Sequence, residues 1–151
     1  MHLGYNHLVE MPAEVRDDLL AALRAHEQDV VCAWLFGSFA RGQACALSDV
    51  DVAVLFDPAL APPERFAATL DIRDRAQRIE GPRIDLTILN EAPPALQHRV
   101  VSEGRLLGNR DDRQRVAFEV RAIREYLDFL PVLERYDEAL FQRARDGRFG
   151  S

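Results

Sequence analysis

Apolar and polar positions alternate along this chain with several distinct periods. From Pro12 to about Glu27, Val15, Leu19, Ala22 and Leu23 recur at helical spacing, with Pro12 suited to the first turn. "VVCAWLF" (Val30–Phe36) is continuously apolar, β-branched and aromatic, which predicts a strand buried on both faces. Gly37-Ser38 interrupts it, and "SFARGQA" can wind one or two helical turns with Ser38 as N-cap. "SDVDVAVLF" (Ser48–Phe56) predicts a second strand. Its period of two puts Asp49, Asp51 and Ala53 on one face and Val50, Val52 and Val54 on the other.

Beyond the "DPALAPP" loop, Glu64 to Ile79 predicts a helix with Phe66, Ala67, Leu70 and Ala76 as core contacts, broken by Gly81-Pro82. "RIDLTIL" (Arg83–Leu89) predicts a third strand, with Asp85 and Thr87 opposite Ile84, Leu86 and Ile88. A short helix follows from Pro93 to about Ser102, and then "RLLG" as a small strand or turn. From about Asp111 to Arg145 the chain reads as helical. One stripe is Val116, Val120, Ile123, Leu127 and Leu130; a second population is Phe118, Tyr126, Phe129, Leu133, Tyr136 and Leu140. Pro131 should kink or split this segment. Two apolar populations exceed what one packing face needs, so part of this helix suits a partner. The pattern is α/β: a small sheet, flanking helices and a helical tail. A core unit over residues 1–108 and a helical extension over 109–151 follow from it.

Composition narrows the class. The 151 residues are 48% hydrophobic and 29% charged, as in globular domains. No apolar run reaches membrane-spanning length, and "MHLGYNHLVEMPAEV" lacks the features of a signal peptide, so the expectation is a cytoplasmic protein with no membrane association. The formal net charge of −6 argues against direct nucleic-acid binding. All 19 cationic residues are arginine, which excludes a lysine Schiff base and a P-loop lysine. Cys32 and Cys45 suggest neither a disulfide framework nor a thiolate metal site, and His2, His7, His26 and His98 have no ligand-like spacing.

The candidate chemistry lies in the aspartates. Unpaired carboxylates are costly within apolar strands. If the third strand neighbours the second, Asp85 joins Asp49 and Asp51. Three such groups repel one another unless cations lie between them. Hard divalent ions, Mg²⁺ above all, take oxygen donors of this kind, and a pair of them serves in-line displacement at phosphorus. Gly37 allows close backbone approach to a ligand, and the Ser38 hydroxyl can hold phosphate. Arg41 either reaches the nucleotide or acceptor or lies on the surface; Arg83 reads as a strand-edge charge.

Gly37-Ser38, ten residues, then Asp49-Val50-Asp51 resembles the G-S-x10-D-x-D signature of the polymerase-beta-like nucleotidyltransferases. Asp85 in "RIDLTIL" resembles their third carboxylate. "GSFARGQACALSDVDVAVL" and "LNEAPPALQHRVVSEGRLL" are similar to segments of minimal nucleotidyltransferase (MNT) antitoxins, which pair with HEPN-domain toxins; the resemblance spans roughly Val30 to Leu107. It implies a nucleotidyltransferase fold with a small mixed sheet. It implies two Mg²⁺ ions on Asp49, Asp51 and Asp85, ATP as substrate, and triphosphate held by Gly37 and Ser38. It further implies transfer of AMP to a hydroxyl, a tyrosine of a cognate HEPN ribonuclease toxin, within a hetero-oligomer. Two alternatives stand beside this one. An antibiotic-type enzyme acting on a small molecule would usually carry a larger C-terminal domain than the forty or so residues available here. A non-catalytic module would neutralise its partner by contact alone.

Overall fold

The computed structural model describes residues 11–45 and 47–147. Helix α1 (Ala13–Arg24) leads into β1 (Val30–Phe36), the four-residue α2 (Gly37–Ala40) and β2 (Val50–Phe56). Helix α3 (Pro62–Ala76) crosses to β3 (Ile84–Ile88); a 3-10 turn (Leu89–Glu91), α4 (Pro94–Glu103), β4 (Arg105–Asn109) and the long α5 (Asp112–Arg145) complete the order. The four strands form one mixed sheet in the order β3-β2-β1-β4. The β2–β3 pair is parallel, and β1 is antiparallel to both its neighbours.

The alternation along the strands sorts the sheet into two faces. Val50, Val52, Val54, Ile84, Ala33 and Leu35 face a core closed by Leu19 and Leu23 of α1 and Ile72 of α3. Trp34, Ala53 and Leu55 face a second core closed by Leu89, Val100 of α4, and Phe118 and Ala122 of α5. The Trp34 and Phe118 rings meet at 6.1 Å between centroids. Asp51 and Asp85 belong to this second face, beyond the point where its apolar filling stops.

Two side-chain clamps hold the parallel pair in place. Gln77 accepts a hydrogen bond from the Ile84 N–H and donates to the Arg78 and Pro82 carbonyls, which fixes the start of β3. Asn90 accepts from the Phe56 N–H and donates to the Phe56 carbonyl, both at 2.9 Å, so its amide acts as an extra rung at the end of β2.

Several expectations are corrected. Helix α1 ends at Arg24 rather than Glu27, and Pro12 is its N-cap rather than a first-turn residue. Ser38 does not cap α2, which begins at Gly37 after Phe36 and has no side-chain cap; the left-handed Gly37 (φ +71°) starts the turn one residue earlier. Strand β2 begins at Val50, so Asp49 immediately precedes it rather than sharing its alternation. Helix α3 begins at Pro62, ends at Ala76 and buries Ala68, Ile72 and Ala76. Phe66 is 60% exposed and Ala67 is exposed, while Leu70 is only half-buried. The buried stripe is Ile72 flanked by the small Ala68 and Ala76, packed in one core with Leu19 and Leu23 of α1. Phe66, two positions before Ala68, points about 200° away from that stripe.

Helix α5 reverses the expected stripe. Phe118 and Ala122 are buried, whereas Val116, Val120, Ile123 and Leu127 are all at least 40% exposed. Nor does Pro131 split it: the helix runs unbroken from Asp112 to Arg145. The Leu127 carbonyl that loses its helical donor lies in an exposed stretch, where water can take it. Past Ala122 no residue of α5 is buried. None of the helices among the described residues is long and apolar enough to cross a membrane.

Candidate active site

The site is built where β1 ends and the parallel pair begins. Asp51 lies directly across from Asp85 in the β2–β3 register, and across from Phe36 on β1. Neighbouring residues in register project from the same face. The two carboxylates therefore share one end of the α4-covered face, with Asp49 immediately before them on the chain. Asp49 and Asp85 are exposed and Asp51 is half-buried.

Gly37 closes over Asp51. A Cβ at position 37 would stand 2.1 Å from Asp51 Oδ2, so any side chain there would occupy the space of the carboxylate. Its φ of +71° independently favours glycine. Ser38 follows, half-buried, and Arg41 lies at the C-terminal end of α2. Gly37, Asp85, Asp49 and Arg41 thus surround Asp51 by contact, register and charge, and Ser38 follows Gly37 on the chain.

The electrostatics match this crowding. Burial pushes the Asp51 carboxyl above the usual carboxylate range, and the charges of Asp85 and Asp49 push it further. Arg99 and Arg41 oppose the rise. A like-charge cluster of this kind gains stability when a cation enters it. The donors are hard carboxylate oxygens, which fit Mg²⁺ rather than a thiolate or imidazole metal. Among the described residues no group of three His, Cys, Asp or Glu side chains is arranged to hold a metal ion by itself.

Two residues that sequence reasoning missed enter here. Arg99 and Glu103 lie one turn apart on α4. Glu103 Oε2 is 3.7 Å from Arg99 Nε and 3.8 Å from Arg41 Nη1. The available signal was the Arg-x3-Glu spacing on the helix after the third aspartate, which puts both side chains on one helix face.

Asp85 also lines a cavity of about 280 Å³ with Thr69, Arg73 and Arg83, open along the outer edge of the sheet. Arg83 is exposed just before β3, as a strand-edge charge should be. A larger cavity of about 670 Å³ lies under the α2–β2 loop, between Phe39, Ser48 and Pro82; none of the three aspartates lines it.

The remaining candidates fall outside the site. Cys32 is buried, which raises its thiol pKa; Cys45 is exposed, and its hydrogen bond with Ser48 lowers its pKa. His26 pairs with Asp71 at 2.6 Å, tying the end of α1 to α3. His98 stacks on Tyr126 with centroids 3.8 Å apart. His2 and His7 lie outside the described residues.

Comparison with known proteins agrees with the fold. The family model "Polymerase beta, Nucleotidyltransferase" matches residues 19–113, from α1 through β4 to the start of α5. A toxin–antitoxin structure with AMP-PNP is similar at 22% identity and a TM-score of 0.68, over 83% of this chain and 98% of that one. A complex of tri-AMPylated Shewanella oneidensis HEPN toxin with MNT antitoxin is similar at 20% identity and a TM-score of 0.63, over 84% and 96%. An MntA–HepT toxin–antitoxin structure is similar at 20% identity and a TM-score of 0.62, over 84% and 97%. None of the curated proteins matches significantly. With the family model covering more than half of its length, the chain belongs to the polymerase beta nucleotidyltransferase family.

Proposed function

We propose that this chain transfers AMP from ATP to a hydroxyl of a protein partner, a HEPN-domain toxin, and so acts as the antitoxin of a toxin–antitoxin pair. The observation that carries the reading is Asp51, set in register with Asp85 and capped by Gly37, with Asp49 one residue before β2. Likeness to complexes of HEPN toxin with MNT antitoxin, one of them tri-AMPylated, supports the choice of acceptor.

In the reaction, an acceptor oxygen attacks the α-phosphorus of ATP. A new P–O bond forms, the bond from the α-phosphorus to the bridging oxygen breaks, and pyrophosphate leaves with that oxygen. The acceptor's proton must depart as its oxygen attacks; in this reading Asp85, exposed on the edge strand β3, takes it. Asp49, Asp51 and Asp85 would hold Mg²⁺. Bound there, Mg²⁺ offsets the charge on the phosphates and lowers the pKa of the attacking hydroxyl. Gly37 lets the triphosphate approach the backbone above Asp51, the Ser38 hydroxyl can donate to a phosphate oxygen, and Arg41 adds a cation.

Helix α5 supplies the partner surface in this reading. Its outward Val116, Val120, Ile123 and Leu127 form an apolar stripe that the described residues leave 40–56% exposed. The same stripe favours neutralisation by contact alone as a second reading. Intact-mass measurement of a toxin co-expressed with this chain separates the two. AMP transfer predicts added adenylyl mass that disappears with Asp49→Asn/Asp51→Asn. An unmodified toxin that is nonetheless silenced would replace it with the contact reading.

A further inference from the structure

Glu103 is a carboxylate in a place where a triphosphate enzyme gains nothing from one. It stands beside the two arginines whose charges act on Asp51: Arg41 from the end of α2 and Arg99 from α4. Both contacts fall on the same oxygen, Oε2, at 3.8 and 3.7 Å. These are ion-pair separations, longer than hydrogen bonds. All three side chains are between about two-fifths and one-half exposed, so the contacts are weak and readily exchanged. A phosphate group, in contrast, takes an arginine in a short and often bidentate hydrogen-bonded pair.

We infer that Arg99 is a second triphosphate-positioning residue alongside Arg41, and that Glu103 holds the two arginines together and releases them when the triphosphate arrives. The inference rests on the nucleotidyl-transfer reading and extends it to α4. Without substrate, Glu103 keeps the guanidinium groups near the aspartates. With substrate, the phosphates displace the Glu103 oxygen, and Arg41 and Arg99 brace the pyrophosphate portion in line with the attack on the α-phosphorus. Glu103 is thus a competitor for the arginines. Its removal should strengthen phosphate binding, the opposite of what a merely structural brace would do.

The test uses the whole chain with Mg²⁺ and a fluorescent α,β-methylene ATP, displaced by inorganic tripolyphosphate or by AMP. Arg99→Ala should weaken tripolyphosphate binding about tenfold and leave AMP binding unchanged; Arg99→Lys should recover part of the loss. Glu103→Gln should tighten tripolyphosphate about threefold, again without effect on AMP. Arg143→Ala, exposed in the last turn of α5, controls for net charge and should move neither competitor. Thermal midpoints within a degree or two of wild type would show each variant folded. Unchanged tripolyphosphate binding in Arg99→Ala, equal loss of both competitors, or weaker binding in Glu103→Gln would overturn the inference and leave the catalytic reading intact. Failure of the wild-type chain to bind the fluorescent analogue would overturn both.

Discussion

The two ends of the β2–β3 pair are built on opposite terms. At the far end, the Phe56 backbone is bonded on both sides by Asn90, Phe56 is fully buried and Leu55 nearly so. At the near end, Asp51 meets Asp85 across the register, Asp49 adds a third like charge, and Gly37 leaves no room for relief. One end is satisfied without help, and the other is arranged for something the chain does not itself supply. Destabilising features of this sort persist where the surroundings over-determine them, and they concentrate at functional sites.

The largest effect should come from removing the charges. Asp49→Asn/Asp51→Asn should cut nucleotidyl transfer roughly 10³-fold or more, a loss of about 4 kcal/mol in transition-state stabilisation, measured as initial rates. The same variant should melt higher than wild type in the absence of metal, because its like charges are gone. A folded carboxyl raised above its unfolded pKa favours the folded state at low pH, and that advantage is lost as pH rises past the folded value. The margin of Asp51→Asn over wild type should therefore be absent below about pH 4 and open towards neutrality, as thermal melts across pH would record.

Next comes ligand. Mg²⁺ with α,β-methylene ATP should stabilise wild type by about 2.7 kcal/mol at a hundredfold excess over Kd, and the double variant by almost nothing, read as shifts in Tm. Gly37→Ala should cost about 1–3 kcal/mol in denaturant unfolding, since its Cβ meets the Asp51 carboxylate and its φ suits glycine, and it should lose transfer activity with it. Asn90→Ala, at the satisfied end, should cost a similar 1–3 kcal/mol yet leave analogue affinity unchanged. If Asn90→Ala also weakened nucleotide binding, the two ends would not be separable. The smallest effect belongs to Ile123→Asp on α5. It should alter chain stability by less than about 0.5 kcal/mol while weakening capture of the partner in a pull-down.

Most of the site was legible in the sequence because its signal is local. The "VVCAWLF" run predicts β1 at its observed bounds, and the spacing of Gly37-Ser38 to Asp49 and Asp51 survives as geometry. Asp85 was legible because "RIDLTIL" alternates, and its pairing with Asp51 followed once β3 proved to neighbour β2. What stayed hidden depends on tertiary placement. Ala68 and Ala76 carry less hydrophobic weight than Phe66, so the buried stripe of α3 could not be phased from composition. The apolar stripe of α5 was visible, but not that Phe118 and Ala122 alone would be buried and the rest left outward. Arg99 and Glu103 have only ordinary helical spacing in the sequence; it is the placement of α4 that sets Glu103 beside Arg41.

Transfer of label from ATP tests the central claim most directly. ATP labelled at the α-phosphate, with Mg²⁺, this chain and the proposed HEPN-toxin partner, should leave label on the toxin, and ATP labelled at the γ-phosphate should leave none. The α-label should vanish with Asp49→Asn/Asp51→Asn. Label from the γ-phosphate on the toxin, or α-label that persists in the double variant, would contradict the assignment of nucleotidyl transfer to these aspartates.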